Sequence, residues 1–209
     1  MPNPGIARVD ISGLVLAGGQ GSRMGGVDKG LLVHQGQTLV QRALQRLAPQ
    51  VGPLMISANR HLEDYARLGV PVWPDERTGF AGPLAGFFAG LSRCTTPWLV
   101  TVPCDSPDFP LDLVARLADA VIAQDADLAM PVVNSDEGLR RQPVFCLLRV
   151  DLLPSLRAFV DAGGAKIAAW ALNQRHATVS FDNASAFANA NSPSDLAALA
   201  AAASPPTAS

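Results

Sequence analysis

The residues of this chain best suited to chemistry lie between positions 13 and 30, GLVLAGGQGSRMGGVDKG, where an apolar run gives way to Gly18, Gly19, Gly21, Gly25, Gly26 and Gly30 interspersed with Arg23 and Lys29. Glycines let exposed backbone N–H groups approach an anion closely. Arginine adds a planar fork of donors and lysine a compact point charge, so the pair suits several phosphate oxygens better than one carboxylate. Two common glycine-loop chemistries fail on spacing. The dinucleotide pattern started at Gly19 and Gly21 meets Met24 where its third glycine belongs, and no acidic residue follows at the end of a second strand. The Walker pattern needs Gly-Lys-Ser/Thr, yet Lys29 is preceded by Asp28 and followed by Gly30. What remains is a long loop that wraps a polyphosphate. Three further polar residues end apolar runs: Asn59 after PLMISAN, Asp75 after VPVWPD and Asp105 after PWLVTVPCD. A carboxylate at Asp105 can hold Mg²⁺ by a hard oxygen while the metal keeps water and phosphate ligands; its plainer role is to cap the helix that follows. Asn59 and Asp75 also fit ordinary turn positions.

The elements that must position these groups alternate strand and helix. Residues 11–16 form a short apolar strand, and residues 38–51 place Leu39, Ala43, Leu44, Leu47 and Val51 on one helical face. A second strand ends at Asn59, a short polar helix runs to Leu68, and a third strand ends at Asp75. Pro83 opens the next helix, where its missing N–H costs nothing. The fourth strand ends at Asp105, an amphipathic helix covers PLDLVARLADAVIAQ, and DLAMPVV is a fifth strand. This rhythm predicts an α/β fold: a single doubly wound Rossmann-like domain with a mostly parallel sheet. In such sheets ligands bind beyond the carboxyl ends of the strands, which is where the loop, Asn59, Asp75 and Asp105 converge. After Val133 the texture changes to a polar loop, NSDEGLRRQ, a strand, two helices and an edge strand, ATVSFD. We expect one domain over residues 1–203, with a nucleotide-binding half at about 11–133, an acceptor-binding half at about 134–203 and a disordered tail at 204–209. Ser192, Pro193 and Asp195 have the spacing of a capped helix start.

Composition narrows the function. At 209 residues and 48% hydrophobic content the chain can bury a large core, and a net charge of −2 offers no broad footprint for nucleic acid. No leader-like start and no run of about 20 apolar residues is present, so we expect a cytoplasmic protein without membrane contact. Cys94, Cys104 and Cys146 lack metal or redox spacing and read as small buried hydrophobes. His34, His61 and His176 form no constellation and read as surface or structural residues.

LAGGQGSRMGGVDKG closely resembles the N-terminal motif of the molybdenum cofactor guanylyltransferases, the MobA-type nucleotidyltransferases, whose fold is of the nucleotide-diphospho-sugar (glycosyltransferase-A) type. The resemblance continues in order through SANRH (57–61), GPLAG (82–86), PCDSP (103–107) and NANSP (189–193). It implies Mg²⁺-dependent transfer of GMP from GTP to the terminal phosphate of molybdopterin or Mo-molybdopterin, with release of pyrophosphate. It also implies transient contact with molybdenum-insertion or molybdoenzyme maturation proteins. Carried over, Leu16, Ala17, Gly18 and Gly19 match the backbone that contacts GTP, and Lys29 the lysine of the motif. Asn59 and Asp75 match nucleotide-binding positions, and Asp105 the aspartate that binds both nucleotide and magnesium. Arg23 and Gly26 match loop positions linked to activity, and Asn189 and Asn191 the asparagines of the molybdopterin side. Asp75 or Asn59 could accept from the donor edge of guanine while the other holds ribose; the sequence leaves the allocation open. Arg140 and Gln142, in RRQPVF, are candidates for the molybdopterin phosphate, although paired arginines also suit a solvated loop.

Two rivals remain at this level. A cytidylyltransferase or sugar-phosphate nucleotidyltransferase commonly carries LAAG and an Asn-Lys ending, where this chain has LAGG and Asp28-Lys29. A silent GTP sensor would have no need of Arg23, Lys29 and Asp105 together.

Overall fold

A computed structural model describes residues 5–18, 28–75, 82–135, 138–190 and 195. Ten strands and six α-helices occur among them: β1 (Ile11–Leu16), β2 (Val33–His34), β3 (Gln37–Thr38), α1 (Leu39–Leu47), β4 (Leu54–Ser57), α2 (Leu62–Ala66), β5 (Val72–Trp73), α3 (Pro83–Arg93), β6 (Trp98–Pro103), α4 (Leu113–Ala123), β7 (Leu128–Ser135), β8 (Gly138–Arg141), β9 (Cys146–Arg149), α5 (Leu153–Asp161), α6 (Ile167–Leu172) and β10 (His176–Phe181). The main sheet runs in the order β10-β7-β9-β6-β1-β4-β5. All its pairings are parallel except those of β9 with β6 and β7, and β8 adds an antiparallel partner to the end of β7.

Period-two alternation explains why both faces are covered. Val15, Val100, Val102, Ala129 and Leu147 pack on one side with α1 and α4, whereas Leu14, Leu99, Leu128, Met130, Cys146 and Leu148 pack on the other with α3, α5 and α6. Strands buried on both faces read as continuous apolar runs, and β1 and β6 do. Thr38 caps α1 in a reciprocal capping box with Gln41. The α-helix stops at Leu47, short of the Val51 that its apolar face predicts, because Pro49 falls in the next turn and the chain tightens to 3₁₀ geometry over Ala48–Gln50.

Residues 134–141 differ from the expected polar loop. β7 continues to Ser135 and β8 returns along it, pairing Val132 with Arg141 and Ser135 with Gly138. All four residues of β8 are exposed, so no buried face imposes an apolar alternation that would reveal a strand. The predicted start of the last helix at Ser192 and Pro193 lies outside the described residues. No helix among the described residues is long and apolar enough to cross a membrane. Cys94, Cys104 and Cys146 are free thiols, the last two buried.

Gly13 allows α1 to sit directly on β1. A Cβ built there would fall 2.8–2.9 Å from methyl groups of Leu47, Leu54 and Val51. We expect Gly13→Ala to cost about 1–3 kcal/mol through overpacking, measured as a lower urea midpoint at unchanged m-value.

Candidate active site

Register brings the sequence-predicted residues together. Leu16 is paired with Ser57 of β4 and Pro103 of β6, and Ser57 with Trp73 of β5, so four strands end on one row. Gly18, Asn59, Asp75 and Asp105 each lie two residues beyond that row. The ladder continues past the strands through Ala17 N–H to Ser57 O at 2.8 Å, Ala58 N–H to Trp73 O at 3.1 Å and Cys104 N–H to Leu16 O at 3.0 Å. Across the sheet the order is therefore Asp105, Gly18, Asn59, Asp75. With strands about 4.8 Å apart, the outer two stand roughly 14 Å from each other. The chain turns one way from β1 toward β4 and β5 and then returns to β6 on the other side of β1, which makes this edge the crevice of the sheet.

At one end Asn59 and Asp75 form a unit. Asn59 Nδ2 donates to Asp75 Oδ2 at 2.6 Å, and Asp75 N–H donates to Asn59 Oδ1 at 2.8 Å. Burial raises the Asp75 carboxyl above the ordinary aspartate range, opposed by bonds from Asn59 and Ser57. Its Oδ1 is buried and has no hydrogen-bond partner among the described residues, an acceptor set for a donor from outside. Gly18 packs on Asn59, since a Cβ there would lie 3.2 Å from Nδ2.

Toward the middle of the sheet Lys29 Nζ reaches Asp105 Oδ2 at 3.5 Å. Burial pushes the Asp105 carboxyl up from its usual range, and Lys29 pulls it partly back. Asp105 is not a helix cap: that position before α4 is Asp112. The loop behind Asp105 is held by α1. Arg42 pairs with Asp108 at 3.1 Å, Arg46 donates to Phe109 O, and Gln50 donates to Pro110 O at 3.2 Å while accepting from Val114 N–H at 3.0 Å. Residues 42, 46 and 50 are spaced four apart and share one face of the helical segment.

On the other side of Asp105 a cavity of about 300 Å³ is lined by Arg140, Gln142 and Asn189, together with Val133, Ser135 and Phe187. Asn189 accepts from Ser106 Oγ at 2.7 Å, and Ala190 N–H donates to Asp105 O at 2.6 Å. Thus Leu16, Ala17, Gly18, Lys29, Asn59, Asp75 and Asp105 line the strand-end edge, and Arg140, Gln142 and Asn189 share the cavity beside it. Gly19, Arg23, Gly26 and Asn191 lie outside the described residues. His34 is buried, His176 bonds Gln174 O at 3.1 Å and His61 faces Asp64 at 3.8 Å; none reaches Asp105.

Sequence reasoning missed Asp28, Tyr65 and Ser106. Asp28 is buried and accepts from Gly30 N–H at 3.1 Å and from Tyr65 Oη at 2.6 Å. Tyr65 is the only tyrosine of the chain and sits in an otherwise polar stretch, LEDYARL, which is the one signal available.

A carboxylate whose native pKa is raised binds its proton more readily than the unfolded chain does. Stability therefore falls as pH rises from the ordinary aspartate range through the native value, and that loss persists at neutral pH. Replacing Asp105 by Asn should raise the urea midpoint at pH 7 in metal-free buffer, with the gain over the parent chain closing below about pH 4.

Comparison with known proteins bears on the family and the fold. The family described as the MobA-like NTP transferase domain matches residues 13–179. The molybdenum cofactor guanylyltransferase of Bordetella petrii is 57% identical over 194 residues, covering 93% of this chain and 99% of its own. That of Cupriavidus necator is 57% identical over 192 residues, covering 91% and 96%. Among solved structures, molybdopterin-guanine dinucleotide biosynthesis protein A from Archaeoglobus fulgidus shares the fold with a TM-score of 0.71 at 20% identity, over 90% of this chain and 95% of that one. A CMP:2-keto-3-deoxy-manno-octonic acid synthetase complexed with CTP does so with a TM-score of 0.74 at 12% identity, over 94% and 98%. With a family model matched over most of its length and relatives this similar along nearly their whole length, the chain belongs to the molybdenum cofactor guanylyltransferase family of MobA-like NTP transferases.

Proposed function

We propose that this protein transfers GMP from GTP to the terminal phosphate of molybdopterin, forming the guanine dinucleotide and pyrophosphate, with the base end of GTP at Asn59 and Asp75 and its phosphates at Lys29 and Asp105. The observation that supports this reading is that Lys29 and Asp105 lie on the strand-end edge between two groups of polar side chains. The Asn59–Asp75 unit lies on the β5 side, and the cavity lined by Arg140, Gln142 and Asn189 lies on the β7–β8 side. A donor and an acceptor bound at the two ends would meet at the centre.

In the reaction an oxygen of the acceptor phosphate attacks the α-phosphorus of GTP. A new P–O bond forms, the bond to the bridging oxygen of the β-phosphate breaks, and pyrophosphate leaves with that electron pair. The attacking oxygen is already anionic, so no side-chain base is needed. Lys29 offsets charge on the phosphates, and Arg23 with the backbone of the glycine loop, including Gly19 and Gly26, belongs to the same assignment. Asp75 Oδ1, which has no hydrogen-bond partner among the described residues, suits a donor on guanine or ribose. Arg140 and Gln142 would hold the acceptor phosphate, and Asn189 and Asn191 its pterin.

Asp105 fits magnesium in one specific sense. Asp28 Oδ1 is taken by Gly30 and Tyr65, and no group of three metal-binding side chains gathers among the described residues, so among these Asp105 offers a lone carboxylate and not a cage. Magnesium commonly takes one or two carboxylates and completes its shell with phosphate and water. Bound there, it would neutralise charge developing on the leaving group. Three free thiols and a nucleoside triphosphate substrate suit a cytoplasmic setting.

Pyrophosphate release should require GTP, molybdopterin and a divalent cation together, with CTP a poor substitute. Equal turnover with CTP, or release without acceptor, would refute the assignment. Asp105→Ala should lower kcat by about a hundredfold or more with the fold retained. Arg140→Ala should raise KM for molybdopterin and leave KM for GTP unchanged.

A further inference from the structure

Lys29 is placed by neighbours that touch no substrate in the reading above. Asp28 is the N-cap of a 3₁₀ turn, Lys29–Leu31, and its Oδ1 closes that turn by accepting from Gly30 N–H at 3.1 Å. The same oxygen takes the Tyr65 hydroxyl at 2.6 Å. Tyr65 is fully buried on α2, the short helix between β4 and β5, so it belongs to the arm that carries Asn59 and Asp75. Its hydroxyl also abuts Gly30, where a Cβ would fall 2.3 Å from Oη. One phenol therefore fixes the turn on both sides of Lys29, by a hydrogen bond before it and by contact after it.

We propose that Tyr65 is a positioning residue for Lys29: through Asp28 it sets the turn from which the ammonium reaches Asp105 and the phosphates, and so couples the base-binding arm to the phosphate-binding lysine. This rests on the assignment of Lys29 to the phosphates of GTP. The arrangement has a directional logic. Asp28 Oδ1 is engaged by the Gly30 N–H and by Tyr65, and from the turn so held Lys29 Nζ reaches Asp105 Oδ2 at 3.5 Å. Burying that carboxylate is tolerable only while its donors are present, so the turn and the phenol stand or fall together.

The test is a double-mutant cycle read as affinity for the non-cleavable α,β-methylene analogue of GTP, with magnesium present. Tyr65→Phe should weaken binding about tenfold in the parent chain and less than about twofold in a Lys29→Met chain, since the lysine it positions is gone. The same factor in both backgrounds, or unchanged affinity in Tyr65→Phe, would overturn the inference. Undiminished affinity in Lys29→Met alone would instead remove the assignment of Lys29, and with it the inference. Should Tyr65→Phe fail to fold, Asp28 supplies the second comparison. Asp28→Ala should lose affinity about as far as Tyr65→Phe, and Asp28→Asn, which keeps an acceptor oxygen, should lose distinctly less. Equal losses for both would also overturn it.

Discussion

The arrangement depends on one aspartate held partly out of water at the end of a central strand, with an ammonium 3.5 Å away. Asp105 is placed by β6, one of the two strands beside the crevice, and its elevated pKa says that burial outweighs the help from Lys29 in the unliganded protein. Such a carboxylate is poorly compensated until a cation or a new partner arrives. A metal held by phosphates would supply that compensation, and Lys29 would be released to the anion.

Everything near Asp105 limits where it can move. Arg42, Arg46 and Gln50 grip three consecutive residues of the following loop, Asp108, Phe109 and Pro110. These contacts run from α1 and the 3₁₀ turn that follows it to the chain beyond β6. A four-residue spacing along one helical face makes that grip rigid in a way that separate surface contacts would not. The turn bearing Lys29 is secured independently, by Asp28 and Tyr65.

Much of this was legible in the sequence because the physics is local. Apolar runs buried on both faces end where the chain leaves the sheet, so Asn59, Asp75 and Asp105 could be recognised as rim residues before their register was known. That they fall on one row follows from parallel pairing, which strand–helix alternation already implies. β8 was not legible: its four residues face solvent, and hydrogen bonds to β7, not side-chain periodicity, make it a strand. Tyr65 was missed for a related reason. Its partners Asp28 and Gly30 are more than thirty positions away in sequence, and a lone aromatic on a five-residue helix carries no periodic signal. Asn189 was found through resemblance, and Arg140 and Gln142 through the basic and polar residues of RRQPVF; their meeting in one cavity depends on β8 and the chain after β10, neither of which has a pattern that predicts its position.

The cavity beside Asp105 is not separate from the strand-end edge. Ala190 donates its backbone N–H to the carbonyl of Asp105, and Asn189 takes the hydroxyl of the buried Ser106. The segment lining the cavity is therefore bonded to the same two residues that follow Cys104 at the end of β6. Because Ser106 engages the carbonyl oxygen of the Asn189 amide, it is the amide's NH₂ that is left to offer, and that group donates to an acceptor atom such as a carbonyl or phosphate oxygen. A shift of residues 189–190 on ligand binding would pull on the main chain of Asp105, and a shift of Asp105 would reorient the cavity wall. The Asn59–Asp75 unit and the cavity are in this way parts of one strand-end edge, the cavity wall being joined to Asp105 and Ser106 by one backbone and one side-chain hydrogen bond.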